Sequence, residues 1–146
     1  MTNAGPMAIT DGTLEGKPDT VLRIQALSIT LLDMADDEAT LGLNGSVVLV
    51  TQTGNIVFLD PNDTIVASGT GYLGIQAGMR DESGAVAVVG NLKTAGGAIE
   101  VRADRHVSIG LLDTGGTGDV TVVAKHGVIL DGNGAATNII GKTVTL

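Results

Sequence analysis

The sequence predicts an all-β chain wound as a parallel β-solenoid of about 20–26 residues per coil, and three observations point to it. The first is a repeat. Gly97-Ala98-Ile99-Glu100-Val101-Arg102-Ala103 is answered 21 residues later by Gly118-Asp119-Val120-Thr121-Val122-Val123-Ala124, and Val107-Ser108-Ile109 by Val128-Ile129-Leu130. A spacing held across two successive strands marks one coil laid on the next, because each coil has an apolar side that only its neighbour covers. The second is a scarcity of aromatics: 43% of residues are apolar, yet among Phe, Tyr and Trp only Phe58 and Tyr72 are present. Val, Ile, Leu and Ala suit a narrow, regularly stacked interior. The third is the 22 glycines, which supply tightly curved corners. A β-sandwich is the alternative; its strands also alternate, but nothing in it requires an apolar triplet at one fixed distance.

The 146 residues read as one solenoid domain, 1–146, with residues 1–20 as an irregular N-terminal arm or cap. From Val21 onward alternation dominates. Leu22, Ile24 and Ala26 share one face against Arg23 and Gln25, and a second strand is expected over Leu27–Leu32. Asp33 to Glu38 is the one stretch suited to a helical turn. Ser46–Thr51, Asn55–Leu59 and Thr64–Ala67 follow as three short strands, the last two parted by the turn residues Asp60-Pro61-Asn62-Asp63. Further strands are expected at Tyr72–Ala77, Ala85–Val89, His106–Leu112, Val128–Leu130 and Thr143–Leu146, with a corner at Asp113-Thr114-Gly115-Gly116. Superposing the 21-residue units puts Ile99 under Val120, Val101 under Val122, Ala103 under Ala124 and Val107 under Val128. Gly71 to Gly97 spans 26 residues, so corners vary in length while strands keep register.

Eight basic against sixteen acidic residues give a net charge of −8, a field that repels phosphate backbones and anionic lipid. The basic residues are scattered singly, as at Arg23, Lys93, Arg102 and Lys125, without interleaved aromatics, which argues against nucleic acid as a partner. Without cysteine there is no disulfide framework and no thiolate ligand or nucleophile. The opening Met1-Thr2-Asn3-Ala4-Gly5-Pro6 lacks a charged region and a following apolar core, so no signal peptide is read in this stretch. The longest aliphatic run, Val47-Val48-Leu49-Val50, is too short to insert into a bilayer.

The two units beginning at Gly97 and Gly118, with Asp131-Gly132-Asn133-Gly134 at a corner, resemble the right-handed parallel β-helix repeats of large secreted bacterial adhesins of the filamentous haemagglutinin type. The resemblance covers roughly residues 45–146 and consists of glycines, alternating aliphatics and acidic turns. It implies an extracellular or cell-surface fibre or adhesin meeting a host or cell-surface receptor or glycan. Residues 1–20 show no motif of a secretion domain.

Few residues suggest chemistry. Gly115-Gly116-Thr117-Gly118-Asp119 is similar to one calcium-binding nonapeptide of β-roll toxins, but the aspartate comes one position early and no second copy completes a site. Calcium is therefore the nearest candidate ion, and no cofactor or metal is expected. His106 and His126 lie twenty residues apart, nearly one coil, beside Arg105 and Lys125 and with no evident third ligand. Solenoids that cleave polysaccharides need converging carboxylates; the candidates are Asp36, Asp37 and Glu38 in one run, and Asp81 with Glu82 near Arg80 in another. Each run lies within one polar loop, so solvated turns explain them, and no catalytic residue is assigned. Thr143-Val144-Thr145-Leu146 reads as a strand without a polar cap, so the terminal coil is expected to meet another copy, in a homo-oligomer or filament, or the remainder of a longer protein. The resulting expectation is a non-enzymatic structural or adhesive protein. The alternatives are a carbohydrate-active β-helix and a cytoplasmic self-polymerising scaffold.

Overall fold

The computed structural model describes residues 2–9, 21–31, 40–68 and 70–146. Among these the chain is strand and turn, with no helix, and it winds into a parallel β-solenoid of about five turns and about 25 residues per coil. β1 (Met7–Ile9) precedes a first coil of β2 (Val21–Ala26), β3 (Ile29–Leu31) and β4 (Thr40–Asn44). β5 (Ser46–Thr51), β6 (Ile56–Phe58) and β7 (Thr64–Ser68) form the next, followed by β8 (Leu73–Ala77), β9 (Ala87–Val89) and β10 (Asn91–Thr94). β11 (Ile99–Ala103), β12 (Val107–Ile109) and β13 (Leu112–Asp113) precede β14 (Val120–Ala124), β15 (Ile129–Asp131), β16 (Ile139–Ile140) and the start of another coil in β17 (Val144–Thr145). Each strand pairs in parallel with its equivalent one coil away. The first sheet runs β2-β5-β8-β11-β14-β17, the second β1-β3-β6-β9-β12-β15 and the third β4-β7-β10-β13-β16.

Alternation within strands becomes ladders between coils. Leu22, Val47, Leu73, Ile99, Val120 and Val144 are successive register partners, and so are Ile24, Leu49, Ile75, Val101 and Val122. The second sheet stacks Met7, Ile29, Ile56, Ala87, Val107 and Ile129; the third aligns Leu41, Ile65, Leu92, Leu112 and Ile139. Leu49, Ile56, Ile65, Leu92, Val101 and Leu112 are fully buried. Columns of mostly aliphatic side chains, with Phe58 as the one ring among them, fill the narrow interior of the described residues, since neighbouring coils stand about 4.8 Å apart and similar shapes nest at that spacing.

Glycines set how tightly the corners stack. Entering the first sheet, Gly45, Gly71, Gly97 and Gly118 lie over one another: a Cβ on Gly71 would stand 2.3 Å from the Gly45 carbonyl oxygen, and one on Gly118 2.4 Å from that of Gly97. Thr94 and Thr114, both buried, donate their hydroxyls to the carbonyls of Gly97 (2.6 Å) and Gly118 (2.9 Å), satisfying groups that the turn turns away from water.

The predicted register holds for Ile99 with Val120, Val101 with Val122 and Ala103 with Ala124. It does not hold for Val107, whose partner is Ile129 rather than Val128. The corner 125–128 is one residue longer than the corner 104–106, so parity flips and Val128 and Leu130 face outward, about half exposed. Several strands are shorter than expected or divided. Leu27 is a corner residue, Tyr72 and Ala85 lie just outside their strands, and His106–Leu112 splits at Gly110-Leu111 into β12 and β13 on different sheets. β1, β4, β10 and β16 were not anticipated, each offering too little aliphatic alternation. Thr2 bridges to Gln25 and β1 pairs with β3, so part of the N-terminal stretch is continuous with the sheets. The stretch Asp33 to Glu38, proposed as a helical turn, lies outside the described residues.

Candidate functional site

The corner between the first and second sheets differs sharply from coil to coil. After β11 it is only residues 104–106 and after β14 residues 125–128, whereas after β8 it is the excursion 78–86. That excursion is anchored at both ends: Met79 and Arg80 donate backbone N–H groups to the carbonyls of Thr51 and Gln52, and the Ala85 carbonyl accepts from Arg105 (2.9 Å). Gly78 and Gly84 turn with φ of 69° and 70°. Glu82, at φ 56°, is the one non-glycine residue with positive φ among the described residues, a conformation that a side chain disfavours. The loop is thereby held between the coil that precedes it and the coil that follows it.

Asp104 is the buried anchor of the site, with 2% of its side chain exposed. Its Oδ2 accepts from the Gly84 amide at 2.7 Å, and Oδ1 lies 3.1 Å from Nδ1 of His126. The Gly84 hydrogen bond, and after it the charge and hydrogen bond of His126, hold the carboxyl below its usual range against the opposing effect of desolvation. His126 is fixed through its backbone as well, by donation to the Asp104 carbonyl at 2.9 Å.

From the excursion, exposed Asp81 reaches across to the last full coil and accepts from Nζ of Lys125 at 2.5 Å. That bond lowers the Asp81 pKa and raises the Lys125 pKa, so both stay charged at neutral pH. Asp81, Asp104 and His126 thus converge, with one potential ligand atom from each lying within 4.8 Å of the others. Beside them Glu82, Gly84, Asp104, Arg105 and His126 line a shallow, open depression of about 370 Å³. Two carboxylates and an imidazole can hold a cation or move a proton, and the buried member gives the others a fixed reference point.

Among the residues singled out in the sequence, Asp81, Glu82 and His126 come together here. His106 does not join them: its Nδ1 accepts the Val128 amide at 3.1 Å, one step further along the stack. Gly115 to Asp119 forms a turn in which Gly115 donates to Asp113 Oδ1 at 2.8 Å and Asp119 is exposed. Asp36, Asp37 and Glu38 lie outside the described residues. Asp104 was missed by reading the sequence. Its one signal is position: it follows Ala103 as Lys125 follows Ala124, putting an acid under the Lys125-His126 pair of the next coil.

Comparison of the chain with protein-family models, with curated proteins and with solved structures returns no match.

Proposed function

We propose that the chain is a non-enzymatic structural solenoid, displayed outside a bacterial cell, which builds a fibre, stalk or layer by adding rung to rung. The observation that carries this reading is that all three sheets are parallel and in register, so each winding can seat a like one. On the last described winding β15, β16 and β17 are the outermost strands, and Ile140, Val144 and Leu146 are 40%, 45% and 71% exposed. Three strand edges side by side present backbone donors and acceptors together with apolar side chains, the combination that templates another strand. Every sheet is parallel, so a second copy stacked head to tail continues all three without reversing direction. Such a contact is heterologous and does not close, which makes a filament. Extracellular display rests on the resemblance to haemagglutinin-type repeats. Electron microscopy and sedimentation over a range of concentrations test the assembly: rods that lengthen with concentration are expected, and Val144→Lys should abolish them by placing a charge on the stacking edge. A wild-type chain that stays monomeric throughout overturns the reading.

The convergence of Asp81 with Asp104 favours carbohydrate cleavage as a second reading, because two carboxylates with oxygens within 4.8 Å of each other are closer to the spacing of a retaining than of an inverting glycosidase. Burial of Asp104 and the pairing of Asp81 with Lys125 count against it. Glycan depolymerisation that Asp81→Asn removes would favour the second reading over the first.

A further inference from the structure

We propose that Asp81, Asp104 and His126 form a binding site for a divalent transition metal of the Zn²⁺ or Mn²⁺ kind. This is independent of the assembly reading, and three features support it.

The first is the donor set. One imidazole nitrogen and two carboxylates match metals that accept mixed nitrogen and oxygen ligands, whereas Ca²⁺ takes six to eight oxygens. The second is spacing. With metal–ligand bonds of about 2.0–2.1 Å, ligands on a tetrahedron stand about 3.3 Å apart. Nδ1 of His126 and Oδ1 of Asp104 are already 3.1 Å apart. All three ligand atoms fall within 4.8 Å, and the exposed Asp81 side chain can close the remaining gap of up to about 1.5 Å once it leaves Lys125. Asp104 is the pre-set ligand: its other oxygen is tied to the Gly84 amide, and burial restricts its rotation.

The third feature is a cation already drawn to the cluster, the Lys125 ammonium on Asp81. On metal binding Asp81 exchanges this partner for the ion, Lys125 swings into water, and Nδ1 of His126 gives up any proton to solvent. The open depression bordered by Asp104 and His126 supplies the approach and leaves room for water on the remaining coordination positions.

The test is calorimetric titration of the chelator-treated full chain with Zn²⁺ and, separately, Mn²⁺. One saturable equivalent is expected. His126→Ala and Asp81→Asn, both at exposed side chains, should each weaken binding by at least about tenfold. Lys125→Met should tighten it by removing the competing ammonium. The proposal is overturned if neither wild type nor the Lys125→Met variant binds a stoichiometric equivalent, or if His126→Ala and Asp81→Asn bind as wild type does.

Discussion

The carbonyl oxygen of Gly71 lies 1.8 Å from the point where a Cβ on Gly97 would stand. No side chain fits there unless two coils separate. Gly97→Ala is therefore expected to destabilise the fold by about 3 kcal/mol, the upper end for overpacking, because the obstacle is backbone and cannot rotate away. Chemical denaturation reads the loss; an unchanged midpoint would mean that the coils are not in contact at this corner.

Leu49 tests the interior. It is fully buried, with Ile24 and Ile75 as register partners on either side. Leu49→Ala should cost about 2–5 kcal/mol, the cavity term adding to the lost burial because columns on both sides resist collapse. The same denaturation midpoint measures it.

Thr114 bonds two carbonyls through one hydroxyl, Gly118 at 2.9 Å and Ile140 at 3.1 Å. Thr114→Val keeps the shape and removes the donor, so a loss of about 1–2 kcal/mol is expected. Hydrogen exchange should localise that loss to β16 and the corner 114–118.

Tyr72 is the only tyrosine, so absorbance near the phenolate band follows one group. Desolvation of the half-buried ring raises its pKa above the usual 10, against smaller opposite effects of Arg102 and Gln76. The neutral phenol donates to Glu100 Oε2 at 2.6 Å. A raised folded-state pKa means that the contribution to stability is complete below the unfolded value and disappears as pH rises through the folded one. Titration should give a midpoint above that of free tyrosine, returning to the ordinary value in denaturant.

Acid acts with the opposite sign. Asp131 is lowered by the Asn138 side-chain hydrogen bond and then by the Asn133 amide, and Asp104 and Asp81 are lowered as described above. Depressed carboxylates stabilise above their unfolded pKa of about 3.9 and lose that contribution as pH falls through the folded values. Thermal midpoints should hold down to about pH 4 and drop below it, and Asp104→Asn should flatten the slope while lowering the plateau.

The register of β11 on β14 was legible because apolar residues recur at the first, third and fifth positions of both strands and a glycine precedes each. That of β12 on β15 was not, because an inserted corner residue is invisible when both Val128 and Ile129 are aliphatic. β10 escaped because Asn91-Leu92-Lys93-Thr94 offers one aliphatic residue, and its place is fixed by the coils on either side. Val48 and Val50 are buried although alternation assigns them outward, so the Val47–Val50 run is covered on both faces. At the site, Asp81 and His126 stood out by residue type. Their meeting did not, for it depends on the excursion 78–86 crossing two later coils, a tertiary contact between residues 44 apart.

The ladder hydrogen bonds all lie between successive windings, roughly along the stacking direction, and this sets how the molecule carries load. Tension applied at its two termini meets them one winding at a time, as a zipper does, instead of shearing many together. Each release frees about 25 residues, near 85 Å of slack at about 3.4 Å per residue. Tearing must skip a step at the Asp81–Lys125 clasp, which ties a winding to the next but one.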